Sequence, residues 1–408
     1  MDSDQVEYEP ASVKELLAEM KDTAELLIDL SYSAVLLGSD GVAEAVLELE
    51  DRMDVLQLRA RMSLLMAARS PEDAEELAPV LGVVGAAEKI SDAAGDVAKV
   101  VLEDIGLPSA MRTALPEAVE TIVRVTVADG TEMTGRTLLD INLETETGVR
   151  VIAIQRQGDW LLNPGPEDEL RAGNVVLLRG PDNSVVEVGS TLADRPVSLP
   201  DPVEPEIADL ERAVDSIVLM KNTSELAVDV AYGAVLFDSP ALADEVAALE
   251  AEVDALKSRF EAWTLRAAGR VEDPITLRGL VHLAAATEVI SDAALEISEG
   301  VLRGISGHPV VAEAVLESDE VIVREPVAPG SALDGVTLGE RQVKTETGMR
   351  IIGVRRPKNG AEGGDEWVLS PGPETALSAG DVLIAKGTRN GAERLSGMVG
   401  DASEEPVE

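Results

Sequence analysis

Apolar residues recur at helical spacing through the first hundred positions. Leu16, Leu17, Met20, Ala24, Leu27 and Leu30 fall at intervals of one, three and four, the stripe that an amphipathic helix buries. Gly38-Ser39-Asp40-Gly41 breaks this pattern, and a second helix is expected from about Val42 to Ala68. Ser70-Pro71-Glu72-Asp73 starts a third: serine caps the end, proline suits the first turn and the acids face the positive end of the helix dipole. It should end near Gly106, before Pro108. Beyond it the period falls to two. Thr121–Val127 alternates, Val149–Gln155 and Val175–Leu178 are further strands, and Trp160–Leu162 is a short one between them. Thr137–Ile141 reads as a short helix. The pattern is thus a three-helix antiparallel unit followed by a small α+β module.

The whole arrangement then recurs. MKDTAELLIDLSYSAVL from Met20 returns from Met220 as MKNTSELAVDVAYGAVL, identical at ten of seventeen positions. The same offset of 200 carries Thr145-Glu146-Thr147-Gly148 onto Thr345-Glu346-Thr347-Gly348. It becomes 207 after the turn-rich insertion Pro357–Glu366, so that Asn163-Pro164-Gly165-Pro166 meets Ser370-Pro371-Gly372-Pro373. In the second half Ser239-Pro240 and Asp273-Pro274 open the second and third helices, and Gly307-His308-Pro309 is expected to close the unit. Pro196–Pro205 reads as a linker and Asp401–Glu408 as an acidic, disordered tail. The expected fold class is α+β multidomain. Helical units lie at 11–108 and 206–309, and α+β modules at 116–193 and 317–399.

Composition narrows the setting. Aromatic residues are 2% of a chain that is 45% hydrophobic, so the cores must be made of Ala, Val and Leu. The net charge is −43, from 77 acids against 34 Lys and Arg. Such a surface repels itself in dilute salt and is relieved near 1 M, where the Debye length is about 3 Å. The composition fits a salt-rich, haloarchaeal cytoplasm. It argues against nucleic acid and anionic membranes as partners. There is no cysteine, hence no disulfide, zinc–thiolate site or thiol nucleophile. No run of 18 apolar residues and no signal peptide are visible, so a cytoplasmic protein without membrane insertion is expected.

Candidate chemistry is confined to carboxylates and to one strand. Glu50/Asp54, Glu88/Asp92, Glu250/Asp254 and Glu288/Asp292 are spaced i, i+4 on helices, each pair on one face. Oxygen ligands from adjacent helices suit a divalent cation such as Mg²⁺, Ca²⁺ or Mn²⁺. Acids are so frequent here that roughly one in five has another at i+4 by chance, so a solvated face is the competing reading. Trp160 and Trp367 read as packing anchors. His282 and His308 have no counterparts in the first half, and no Ser-His-Asp set, HExxH or P-loop appears. No catalysis is expected.

The third helices read Ala87-Glu88-Lys89-Ile90-Ser91-Asp92-Ala93-Ala94 and Thr287-Glu288-Val289-Ile290-Ser291-Asp292-Ala293-Ala294. Together with Leu49-Glu50…Asp54 and Leu249-Glu250…Asp254, this resembles the signature of PhoU domains. The resemblance implies helical bundles that regulate phosphate uptake and hold metal through these carboxylates. The α+β module, with Thr147-Gly148-Val149-Arg150-Val151-Ile152-Ala153-Ile154-Gln155-Arg156 and Thr347-Gly348-Met349-Arg350-Ile351-Ile352-Gly353-Val354-Arg355-Arg356, resembles the TrkA-C (RCK-C) domain. That resemblance implies a dimeric regulatory module of potassium channels and transporters, with cyclic di-AMP as a ligand in some members. Carried over, the ligand positions are Val151, Ile152, Arg156, Asn163 and Pro164, then Ile351, Ile352, Arg355, Arg356 and Pro371. The competing reading places Ile152 and Ile352 in the core and the arginines at its rim. No GxGxxG fingerprint is found, so dinucleotide sensing is not carried over. The expected function is a regulatory subunit of potassium or cation transport, partnered by a membrane channel or transporter subunit, with phosphate regulation as the alternative. The chain is expected to form a homo-oligomer or an internal pseudo-dimer.

Overall fold

The computed structural model describes residues 12–114, 121–157, 159–162, 164–199, 207–304, 309–318, 320–357 and 366–400. The expected linker lies partly, and the insertion and tail almost wholly, outside them. The architecture is α+β and multidomain. The first helical unit comprises α1 (Val13–Leu37), α2 (Asp40–Ala67), α3 (Pro71–Leu102) and α4 (Ser109–Ala114). The first module comprises β1 (Thr121–Thr126), β2 (Arg136–Thr137), α5 (Leu138–Ile141), α6 (Leu143–Thr147), β3 (Arg150–Arg156), β4 (Asp159–Leu162), β5 (Glu169–Leu170), β6 (Val175–Gly180) and α7 (Asp182–Ala193). The second helical unit comprises α8 (Ala208–Leu236), α9 (Pro240–Ala268), α10 (Arg278–Leu302) and α11 (Pro309–Glu317). The second module has β7 (Val321–Pro326), α12 (Val343–Thr347), β8 (Arg350–Arg356), β9 (Glu366–Leu369), β10 (Val382–Gly387) and α13 (Arg389–Val399).

The chain forms two compact units, one of residues 1–138 and 151–318, the other of 139–150 and 319–408. In the first, both helical units share one bundle. α1, α2 and α3 pack on one another, as do α8, α9 and α10, and α3 joins the sets by lying against α10. Small residues decide that seam. A Cβ on Gly279 would stand 2.7 Å from the Gly106 carbonyl oxygen and 3.1 Å from Val100, and one on Gly300 would stand 2.9 Å from Pro79. These are the two ends of one antiparallel crossing: Pro79 corresponds to Gly279 in the repeat, and Val100 to Gly300. At each end a bulky residue of one copy faces a glycine of the other, so the copies have diverged into complementary halves.

The short helices exchange across this seam. α4 packs on α8 and α11 packs on α1. Sequence spacing did not indicate either one. The expected closure at Gly307-His308-Pro309 is corrected here: Pro309 opens α11, since proline at a first helical position lacks only an amide that would be unpaired anyway. In the same copy Asp273 caps a 3₁₀ turn over Pro274–Leu277 before α10 begins. Ser70 and Ser239 cap the helices that the sequence assigned to them, and Ser39, read only as part of a break, caps α2.

The first module is a four-stranded sheet of order β1-β6-β3-β4 with a small β2-β5 ribbon. β1 pairs β6 and β3 pairs β4, both antiparallel. The second repeats the plan as β7-β10-β8-β9, with a bulge between Ile384 and Ala385. Its core joins Val354, Leu383 and Ala385 of the sheet to Leu395 and Met398 of α13. Segment 139–150 belongs to this second unit. There Gly148 and Gly348, the left-handed caps of α6 and α12, approach so closely that a Cβ on Gly348 would be 4.0 Å from the Gly148 Cα.

Candidate functional site

Two faces carry the residues picked out in the sequence. On the bundle, α2 and α3 bring Glu50, Asp54, Glu88 and Asp92 together. Oxygens of Asp54, Glu88 and Asp92 lie within 4.8 Å of one another. Glu50 lies over Gly95, whose missing Cβ would otherwise fall 2.0 Å from the carboxylate. Burial raises the Glu50 and Asp92 carboxyls above the ordinary range; neighbouring acids add to the rise and Lys99 opposes it. Lys99 Nζ is 3.9 Å from Glu50, and Arg61 is 3.9 Å from Glu88.

The second copy repeats the acids and changes the cations. Glu250 and Asp292 are raised by burial first, then by Asp254 and Glu288 among their neighbours. Here Lys257 forms an ion pair with Glu288. In the first copy that position is Gln57, which is buried. A lysine therefore neutralises part of the acidic charge in the second copy. Carboxylate spacing alone does not point to Lys257; the signal in the sequence is the change from Gln57 to Lys257 between copies. The first copy keeps three hard-oxygen donors in mutual reach, and these fit Mg²⁺, Ca²⁺ or Mn²⁺.

The first-helix acids do other work. Glu25 pairs with Lys21 at 2.8 Å and Glu225 with Lys221 at 2.6 Å. Asp29 receives Arg179 of β6 at 2.6 Å in a pair that is mostly shielded from solvent. Trp160 of β4 lies on Gly41 at the start of α2, its Nε1 3.3 Å from where a Cβ would be. These two contacts dock the first module on the bundle. The residue equivalent to Arg179 is Lys386, which pairs with Glu320 at 3.2 Å in its own module, and Gly41 becomes Ala241.

In the modules, Val151, Ile152, Ile351 and Ile352 are all buried. Arg156 donates to Asp168 at 3.2 Å and to the Glu169 carbonyl at 3.0 Å. Arg356 donates to the Ala376 carbonyl at 2.7 Å. Arg355, Pro164 and Pro371 are half-buried, and Asn163 lies outside the described residues. The aliphatic positions thus serve the cores, and the polar groups left for a ligand are the arginines at strand ends. Trp367 packs on Gly353 across the β8–β9 pair, at 3.5 Å from a Cβ there.

These features define a helical bundle carrying α+β modules, a protein built of regulatory domains. A PhoU domain model matches residues 17–101 and 217–301, and a TrkA-C domain model matches 122–193 and 322–400. The chain carries both domains in tandem repeat, and neither family is an enzyme family. It is 28% identical over 85 residues to Potassium channel protein 1 of Methanocaldococcus jannaschii, covering 21% of this chain and 23% of that protein. It is 27% identical over 143 residues to Probable potassium channel protein 2 of the same organism, covering 35% and 37%. The chain therefore spans well under half the length of these curated relatives. Among solved structures, it is similar to the RCK_C domain dimer of S. agalactiae BusR in complex with c-di-AMP, at TM-score 0.17 and 20% identity over 18% of this chain and 97% of that one. It is also similar to the GsuK RCK domain, at TM-score 0.18 and 16% identity over 69% and 63%. No helix among the described residues is long and apolar enough to cross a membrane.

Proposed function

We propose that this chain is a non-catalytic regulatory subunit of potassium or cation transport, working in a salt-rich cytoplasm beside a membrane channel or transporter. What supports the reading most is the pairing of two TrkA-C domains with sequence similarity to two potassium channel proteins. The modules sense a small anionic ligand, cyclic di-AMP being the first to test. Arg156, Arg355 and Arg356 are the groups able to pair its phosphates, because guanidinium forks match phosphate oxygens. The bundle is the output: the Arg179–Asp29 pair and the Trp160–Gly41 contact hand a shift of the first sheet to α1 and α2. Deleting the gene should lower or deregulate potassium uptake, and titration calorimetry should detect cyclic di-AMP. Unchanged uptake together with no binding would exclude the reading.

A second reading rests on the PhoU matches: control of phosphate uptake, with a divalent ion held at Asp54, Glu88 and Asp92 and more weakly, or not at all, at Asp254, Glu288 and Asp292. Phosphate uptake in the deletion strain separates the two. In the first reading the metal is a structural clamp between α2 and α3.

A further inference from the structure

The exposed face of α2 and α3 in the first copy runs on past the acids as an apolar stripe. Leu58, Leu65 and Met66 of α2 are 44%, 71% and 57% exposed, and Leu81 of α3 is 40% exposed. Leu58 follows Asp54 by four residues and Leu65 by eleven, while Leu81 precedes Glu88 by seven, so these three lie on the helix faces that carry the cluster, and Met66 adjoins Leu65 at the edge. The antiparallel pairing that sets Asp54 beside Glu88 and Asp92 also turns Leu58 and Leu65 toward the part of α3 that holds Leu81.

At its far end the stripe meets a pocket of about 340 Å³, lined in part by Ala67, Leu77, Asp73, Glu76 and Arg69. The groove thus carries Leu58, Leu65 and Leu81, interrupted by Arg61, between acids at both ends. Its carboxylates outnumber the cations Arg61, Lys99 and Arg69.

We propose that this groove docks an amphipathic helix from a protein partner, with leucine-type residues on one face and Lys or Arg flanking them. Charge complementarity fixes the occupant. A second copy of a chain with net charge −43 would bring acids against acids, and an anionic lipid surface would be repelled likewise. A basic amphipathic helix satisfies both the stripe and its acidic ends. The second copy keeps part of the stripe, with Leu265 and Val281 76% and 51% exposed, but Leu58 becomes Ser258 and Met66 becomes Arg266, whose guanidinium sits 4.7 Å from the Trp263 ring centroid beside Arg212 at 4.7 Å. The apolar stripe is thus fuller in the first half of the duplication.

The inference deepens the docking role given to the bundle above and rests on it. Its test is kept separate: potassium uptake judges the role, while peptide binding to the purified chain judges the groove. A fluorescent Leu/Lys peptide of about 18 residues, leucines at i, i+3, i+4 and i+7, is compared with a scrambled isomer in about 1 M KCl, where screening suppresses general charge attraction. The patterned peptide should bind at least about tenfold more tightly. Leu65→Ser with Leu81→Ser should remove that preference, and Leu265→Ser in the second copy should leave it. Both changes are at exposed positions and leave the fold intact, as circular dichroism would verify.

Equal binding of the two peptides, or a preference that survives Leu65→Ser with Leu81→Ser, overturns the proposal. So does self-association lost in Leu65→Ser, which would make a second copy the occupant, or Leu65-dependent binding to phosphatidylglycerol vesicles.

Discussion

The ammonium of Lys21 stands 5.5 Å from the ring centroid of Tyr232, in the other half of the chain. Lys221 stands at the same 5.5 Å from Tyr32, so the contact is made twice about an internal pseudo-two-fold axis. All four residues are buried. Lys21 also donates to Ser318 of the segment that follows α11, at 2.7 Å. Tyr32 meets Thr287 of α10 at 2.6 Å, and burial pushes its phenol up, so it stays protonated and donates.

Removing one lysine tests this seam. Lys21→Ala takes away the partner of a shielded Glu25 and should cost about 3 kcal/mol. A double-mutant cycle between Lys21→Met and Tyr232→Leu should show coupling of about 1 kcal/mol, the size of a desolvated cation–π contact. The cycle of Lys21→Met with Tyr32→Leu should be additive within error. Urea unfolding in high KCl reads all of these.

The glycine seam gives a second outcome. Gly279→Ala and Gly300→Ala place a methyl 2.7 Å and 2.9 Å from atoms of the other copy, and each should cost about 1–3 kcal/mol by overpacking. Gly397→Ala in α13 meets nothing within 4 Å. There the helix gains and stability should rise by about 0.5–1 kcal/mol. Thermal melts of the three variants would show opposite signs.

Much of this was legible in the sequence, and what was not has a physical cause. The helical stripes and the serine caps are local, so periodicity found them. Identity between the copies was also a signal of contact. Lys21 and Tyr32 are kept because they meet Tyr232 and Lys221 of the other copy, and Glu25 because it pairs with Lys21. Thr147 and Thr347 are kept because each hydroxyl donates to the carbonyl four residues back and accepts the amide two residues on, building the turn whose glycines meet. α7 escaped notice because its apolar positions, Val185, Val188 and Leu192, are spread among Ser, Thr and Gly of low helix propensity. The Arg179–Asp29 pair joins a strand to a helix 150 residues away, which no spacing rule reaches. The acids at i, i+4 were found, but the lysine that changes one cluster came from a neighbouring turn.

Arg179→Ala should release the first module from the bundle. Both partners are mostly shielded, so the loss should cost about 3 kcal/mol or more and raise the protease sensitivity of the first module. Lys386→Ala should loosen the second module through the loss of its pair with Glu320. Limited proteolysis with mass mapping distinguishes the two patterns.

A pH dependence follows from Asp334, whose carboxyl is held below its usual range by the amides of Gly330 and Ala379, each at 2.9 Å. A depressed carboxyl stabilises the fold above its unfolded value near 3.9, and that contribution is lost as pH falls through the lower folded value. Asp334→Asn should therefore lower the melting temperature at pH 6–7, and the gap to the parent protein should close as the pH is taken down toward 3. Amide exchange at Gly330 and Ala379 should rise in the variant at neutral pH.

The difference between the two carboxylate clusters predicts an unequal response to divalent ions. In the first copy Glu88 has Arg61 at 3.9 Å, whereas in the second Lys257 pairs directly with Glu288. Calorimetry with Mn²⁺ should give about one ion per chain, and the melting temperature should rise with the free ion as binding to the folded state requires. Asp54→Asn should abolish both effects. Lys257→Gln restores the residue found at position 57 in the first copy. It removes the competing ammonium and leaves Asp254, Glu288 and Asp292 to repel one another until a cation arrives. That variant should be less stable than the parent without divalent ions and take up about two ions with them. If Mn²⁺ leaves the parent unaffected while Lys257→Gln is simply destabilised, the acids are a solvated face in both copies and the lysine neutralises charge without replacing a metal.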